Sequence, residues 1–136
     1  MPNMKVFLSY ALEDEPVATD LTRRLEKAGL NVWQTGRDVL PGDNIALRVG
    51  KALEEADAMV VLVSPASMKS FWVQREIEYA LGNANYENRL IPVLIRRTSN
   101  TPWIANSRHT IKAGPDRSKL SQAIIRHLQS ASAERN

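Results

Sequence analysis

Residues 58–63 read Ala58-Met59-Val60-Val61-Leu62-Val63 and stop at Ser64-Pro65. A strand with one wet face alternates apolar and polar residues; this run does not, so it predicts a strand buried on both faces. Cover for those faces is written on either side of it. Upstream, residues 44–56 have helical spacing, with Ile45, Val49, Leu53 and Ala56 aligned and Asp43 placed to cap them. Residues 14–28 repeat the pattern with Val17, Leu21, Leu25 and Ala28, opened by Asp14 as N-cap with Pro16 in the first turn and closed by Gly29. Short strands are predicted before these helices, at residues 5–9 and 30–33, and residues 34–43, with Gly36, Pro41 and Gly42, read as a loop. Downstream come a helix over 70–82, strands over 90–95 and 108–111, and a closing helix over 116–130 burying Leu120, Ala123, Ile124 and Leu128; residues 130–136 read as frayed. Pro92 has no amide hydrogen for a ladder, so it predicts a bulge or an unpaired amide side.

Apolar strands alternating with amphipathic helices select an α/β layer fold. Five such units predict a flavodoxin-like three-layer sandwich: a five-stranded parallel sheet with helices on both faces, one domain spanning residues 1–136. Ligands bind such sheets at the carboxyl ends of the strands, which here are residues 9–14, 34–43 and 64–70.

With 136 residues, 43% hydrophobic and 24% charged, the chain can bury a core unaided. It has no cysteine, which excludes disulfides and thiolate chemistry, and its two histidines, His109 and His127, are too far apart in sequence for a recognisable metal pair; no metal is expected. The run at 58–63 is far short of a membrane span and the N-terminus lacks an apolar signal core, so a cytoplasmic protein is expected. The net charge of +3 divides unevenly: residues 1–88 carry nine basic and thirteen acidic side chains, residues 89–136 nine basic and two acidic. The basic half lacks the interleaved aromatics of a single-strand groove, Trp103 apart, so a solvated surface is preferred over nucleic-acid binding.

The three loops narrow the chemistry. A phosphoacceptor domain needs an aspartate ending the third strand, where Ser64-Pro65 stands; a flavodoxin needs a Ser/Thr/Gly-rich phosphate loop, where Ser9-Tyr10-Ala11-Leu12-Glu13-Asp14 is acidic and lacks glycine. Neither G-x-G-x-x-G nor a P-loop motif is present. What remains is Ser70-Phe71-Trp72-Val73-Gln74-Arg75-Glu76, which puts an indole and a carboxylate four residues apart near a helix start. By spacing alone, Trp72 reads as core packing and Glu76 as a surface acid near the positive end of the helix.

Taken together, the loops resemble a family. Val6-Phe7-Leu8-Ser9-Tyr10 with its following acids, Gly29-Leu30-Asn31-Val32-Trp33 with Leu40-Pro41-Gly42-Asp43, Val60-Val61-Leu62-Val63-Ser64-Pro65 with Ser70-Phe71-Trp72 and Glu76, and Ile91-Pro92-Val93 resemble, in order, the boxes of Toll/interleukin-1 receptor (TIR) domains. Gln34 and Thr35 stand where many members carry an aspartate. The resemblance accommodates Pro92 in the fourth strand. It implies an activity found in one branch of the family, cleavage of the nicotinamide–ribose bond of NAD+ by a glutamate at the position of Glu76, in signalling or defence. NAD+ is then substrate, no cofactor is needed, and the product is ADP-ribose or a cyclic isomer. Trp72, Tyr10, Ala11, Trp33, Gly42, Asp43 and Ser70 are implied to line the cleft. The resemblance also implies self-association or pairing with other TIR domains through Arg37, Asp38, Leu40 and Pro41, whose other role is a solvated loop, and a sensor or effector on a separate polypeptide. Two other classes stay open: a non-enzymatic TIR interaction module, and a nucleoside deoxyribosyltransferase-like enzyme, which also uses a glutamate on a glycosidic bond.

Overall fold

A computed structural model describes residues 4–98, 103–106 and 109–135. Lys5–Ser9 forms β1, Asn31–Gln34 β2, Ala58–Val63 β3, Leu90–Leu94 β4 and Ile111–Lys112 β5, all parallel in the order β2-β1-β3-β4-β5. Every residue of β3 is buried, as its unbroken apolar run requires. The register sets Ser9 of β1 opposite Val61 of β3. Helices α1 (Glu15–Lys27), α2 (Thr35–Asp38), α3 (Ile45–Glu55), α4 (Pro65–Met68), α5 (Phe71–Leu81) and α6 (Arg117–Arg135) complete the chain. Side chains alternate across each strand, which divides the core in two. Val6, Leu8, Val60 and Leu62 meet α1 and α6; Phe7, Met59, Val61 and Val63 meet α3 and α5. The three-layer α/β sandwich is therefore present.

The helix ends correct two assignments. Asp14 precedes α1, but its carboxylate makes no capping bond: a 3-10 turn over Leu12–Asp14 runs straight into the helix and turns Asp14 inward, where it accepts hydrogen bonds from Ser64 Oγ and, at 3.4 Å, Arg96 Nε. The cap of α3 is Asn44, whose Oδ1 accepts from Leu47 N at 3.1 Å. Asp43 serves the preceding turn instead, accepting from Leu40 N at 2.8 Å while Asp43 N donates to Leu40 O at 3.0 Å. With Pro41 second and Gly42 third at φ +92°, this is a turn that needs a glycine. Gly29 stops α1 at φ +96°.

The segment read as loop contains α2, a single helical turn. Asp38 accepts from Gln34 N at 2.9 Å, and Arg37 donates to Val32 O at 2.6 Å and Glu26 Oε1 at 2.9 Å, which ties the turn down. Strand β2 starts one residue later than expected because Leu30 N bonds back to Leu25 O at 3.2 Å. Pro92 needs no bulge: Arg89 O and Ile95 N bond to β3, so the alternate residue Pro92 faces the β5 side, where pairing begins only at Val93 with Ile111. Strand β5 lies at Ile111–Lys112 rather than 108–111, and Arg108 is outside the described residues. Helix α6 continues past Ser130 to Arg135 because Ala131, buried, extends the face of Leu120, Ile124 and Leu128. Residue 136 is outside the described residues. The fold also brings the His109 and His127 rings to 4.8 Å between centroids, a proximity their sequence separation hid. Among the described residues no group of three or more potential ligands could hold a metal, and no helix is long and apolar enough to cross a membrane.

Candidate active site

Ser64 caps α4 reciprocally with Ser67, and Ser70 caps α5 by accepting from Val73 N at 3.3 Å. These two caps start α4 and α5 directly after the carboxyl end of β3. The buried stripe of α5 is Val73, Glu76, Ile77 and Ala80, the spacing of one helical face. Glu76 thus occupies a core position and is only 6% exposed. It is not the surface acid that spacing alone allowed. Trp72, one turn earlier, is 49% exposed and is not core packing.

Glu76 finds its partner on β1. Phe7 and Ser9 project to the α5 side of the sheet, and Ser9 Oγ, 1% exposed, donates to Glu76 Oε1 at 2.5 Å. Burial pushes the Glu76 carboxyl up to about 7, against the lowering effect of the Ser9 hydrogen bond. Near neutral pH the group therefore stands between acid and carboxylate, and a nearby cation would tip it to the charged form.

Above Glu76 opens a cavity of about 510 Å³, within the range of small-molecule sites. Tyr10, Ala11, Ser70, Trp72 and Glu76 line it together. Residues the sequence reading did not assign to the cleft complete it: Leu8 of β1, Leu12 and Glu13 from the β1–α1 connection, Glu15 of α1, Thr35 and Gly36 of α2, Ile45 and Val49 of α3, Ala66 of α4, and Lys69 beside Ser70. Tyr10 accepts from Gly36 N at 2.9 Å and so fastens α2 to the cavity; burial raises the pKa of its hydroxyl. A Cβ at Gly36 would lie 2.5 Å from Glu15 Oε2 and 2.8 Å from Tyr10 Oη, so a side chain there would have to displace those side-chain ends.

Three residues expected in the cleft lie outside its lining. Trp33 stacks on Phe7 at 6.5 Å, lies under the Arg48 guanidinium at 5.5 Å and donates Nε1 to Thr35 Oγ1 at 3.1 Å; it supports the cavity wall through Thr35. Gly42 and Asp43 shape the turn before α3. Of the residues expected on a contact surface, Leu40 is 61% exposed, whereas Arg37 and Asp38 are bound to each other and within α2.

The TIR domain family model matches residues 6–128. The chain belongs to the TIR domain family. This TIR domain is 28% identical over 90 residues to a probable 2′ cyclic ADP-D-ribose synthase, TcpO, of Methanobrevibacter olleyae, a match covering 65% of the chain and 26% of that protein. It is also 28% identical over 134 residues to the human Toll/interleukin-1 receptor domain-containing adapter protein, covering 93% of the chain and 61% of the adapter. The chain thus corresponds to part of each relative. Among solved structures, the TIR domain of the Toll-related receptor TRR-2 from Hydra magnipapillata superimposes with a TM-score of 0.72 at 24% identity, covering 93% of this chain and 95% of that one. That likeness bears on the fold of the TIR domain, not on its chemistry.

Proposed function

We propose that this TIR domain cleaves the N-glycosidic bond of NAD+, releasing nicotinamide and leaving ADP-ribose or a cyclic isomer. The observation that carries the reading is one buried carboxyl, Glu76, held by Ser9 at a cavity that also presents the exposed indole of Trp72. Nicotinamide in NAD+ is a cationic ring that departs neutral, so its loss needs no general acid, unlike the paired carboxyls of ordinary glycosidases. A single carboxylate suffices to hold a ribose hydroxyl and stabilise the oxocarbenium-like charge that develops as the bond breaks. The cation itself favours ionisation of Glu76, whose carboxyl is poised near 7. Trp72 offers a face for a planar ring and excludes water. The name of the archaeal relative supports the same chemistry.

A second reading, a TIR–TIR interaction module with Glu76 idle, draws support from the exposed Leu40 and from the adapter relative. Nicotinamide release from NAD+, followed over a range of protein concentrations, and base release from deoxynucleosides, followed separately, decide among them. Release from NAD+ supports the proposal, and a rate per subunit that rises with concentration indicates a site completed by self-association. Turnover of deoxynucleosides alone, or of neither substrate at any concentration, refutes it.

A further inference from the structure

The cavity is electrically lopsided. Glu13 and Glu15 stand on the β1–α1 side, with Glu15 against Gly36 of α2. Lys69 is the one lining cation among the described residues. Lys69 follows α4 directly, is exposed, and forms no ion pair with any described carboxylate, whereas Arg37, Arg48 and Arg96 are each committed to one. An exposed, uncommitted ammonium in a cavity whose other charged lining groups are carboxylates is the one place there that attracts an anion.

We infer that Lys69 binds the diphosphate of the substrate and so selects nucleotides carrying a 5′-diphosphate over bare nucleosides. The inference rests on the glycosidic cleavage proposed above and adds to it the orientation of the substrate. From Ser70 to Glu76 the α5 axis rises about 9 Å. With the sugar's glycosidic carbon at Glu76, a 5′-diphosphate extends along this rise toward Lys69. A nucleoside lacks the group that reaches Lys69.

Lys69 is a specificity residue at an exposed position, so its substitution leaves the fold intact. Lys69→Gln and Lys69→Arg are compared with the unsubstituted protein in two assays. In calorimetric binding of ADP-ribose, which has the diphosphate and no leaving group, Lys69→Gln weakens affinity about tenfold, Lys69→Arg stays within about twofold, and the difference shrinks at high salt. In nicotinamide release, Lys69→Gln raises KM for NAD+ by the same factor with kcat nearly unchanged, and leaves KM for nicotinamide riboside unaltered. Equal ADP-ribose affinity in the unsubstituted protein and Lys69→Gln overturns the inference, as does an equal loss on nicotinamide riboside or no ADP-ribose binding by any form. Lys69-dependent ADP-ribose binding without nicotinamide release refutes the enzymatic reading alone. Release indifferent to Lys69 refutes the Lys69 assignment alone.

Discussion

Replacing Ser9 with alanine removes the hydroxyl that donates to Glu76 Oε1 at 2.5 Å and leaves the carboxyl in the same apolar setting. A hydrogen bond to a charged group contributes roughly 1.5–3 kcal/mol, and at about 1.36 kcal/mol per pKa unit its loss raises the carboxyl by about one to two units. The Glu76 carboxyl then moves from about 7 to roughly 8–9. The sign follows from the bond favouring the ionised form: without it, ionisation needs a higher pH, and the acid limb of the rate profile shifts upward. At pH 7 the ionised fraction drops from about one half to between about one in ten and one in a hundred, so nicotinamide release falls roughly 5- to 50-fold. At pH 9 most of the loss is recovered. The assay is kcat/KM for nicotinamide release from pH 5.5 to 9, which follows the free protein's carboxyl, with Ser9→Thr as the variant that keeps a hydroxyl and returns the profile toward that of the unsubstituted protein. A Ser9→Ala profile depressed equally at every pH, or an acid limb that does not move, refutes the assignment of Ser9 as the residue that positions Glu76 and favours its charge.

Burying Glu76 also costs stability. Its carboxyl is raised in the folded state from an ordinary 4.5 to about 7, so the folded chain binds more protons than the unfolded chain between those values, and stability falls as pH rises through them. Glu76→Gln removes that cost: urea unfolding is expected to show it more stable by about 3 kcal/mol at pH 8, and near parity below pH 4.5. Asn44→Ala is expected to lower stability by about 1 kcal/mol, because Oδ1 caps α3, and Asn44→Ser to recover most of it; thermal unfolding of Asn44→Ala unchanged from the unsubstituted protein would contradict the capping assignment. Tyr10→Phe removes the acceptor for Gly36 N and frees α2 at the cavity wall; a severalfold rise in KM for NAD+ with little change in kcat is expected, and an unchanged KM would refute the role.

The sequence speaks most clearly where one physical signal dominates. Residues 58–63 admit few structures other than a doubly covered strand, and β3 has those bounds. Glu76 was legible through the resemblance, whereas its spacing alone reads as a surface acid; in the structure it interrupts the apolar face of Val73, Ile77 and Ala80 toward the core. Ser9 carried a weaker signal: alternation along β1 sends it to the side of Phe7, toward α5. The rest of the cavity depends on how turns close. Asp14 and Asp43 look alike as caps, yet one is drawn inward to Ser64 and the other closes a turn on Leu40. Trp33 stays on the sheet because Phe7 and Arg48 sandwich it, and Thr35 and Gly36 enter the cavity only because α2 is a helical turn. None of these contacts is periodic, so no local pattern announces them.

Glu76→Gln is nearly isosteric, keeps an acceptor for Ser9 Oγ and removes only the capacity for charge. Measured at saturating NAD+ and pH 8, where the unsubstituted carboxyl is mostly ionised, nicotinamide release by Glu76→Gln should fall by at least about a hundredfold, with the fold and ADP-ribose binding retained. A Glu76→Gln rate within about twofold of the unsubstituted protein would contradict the role of this carboxylate in breaking the glycosidic bond.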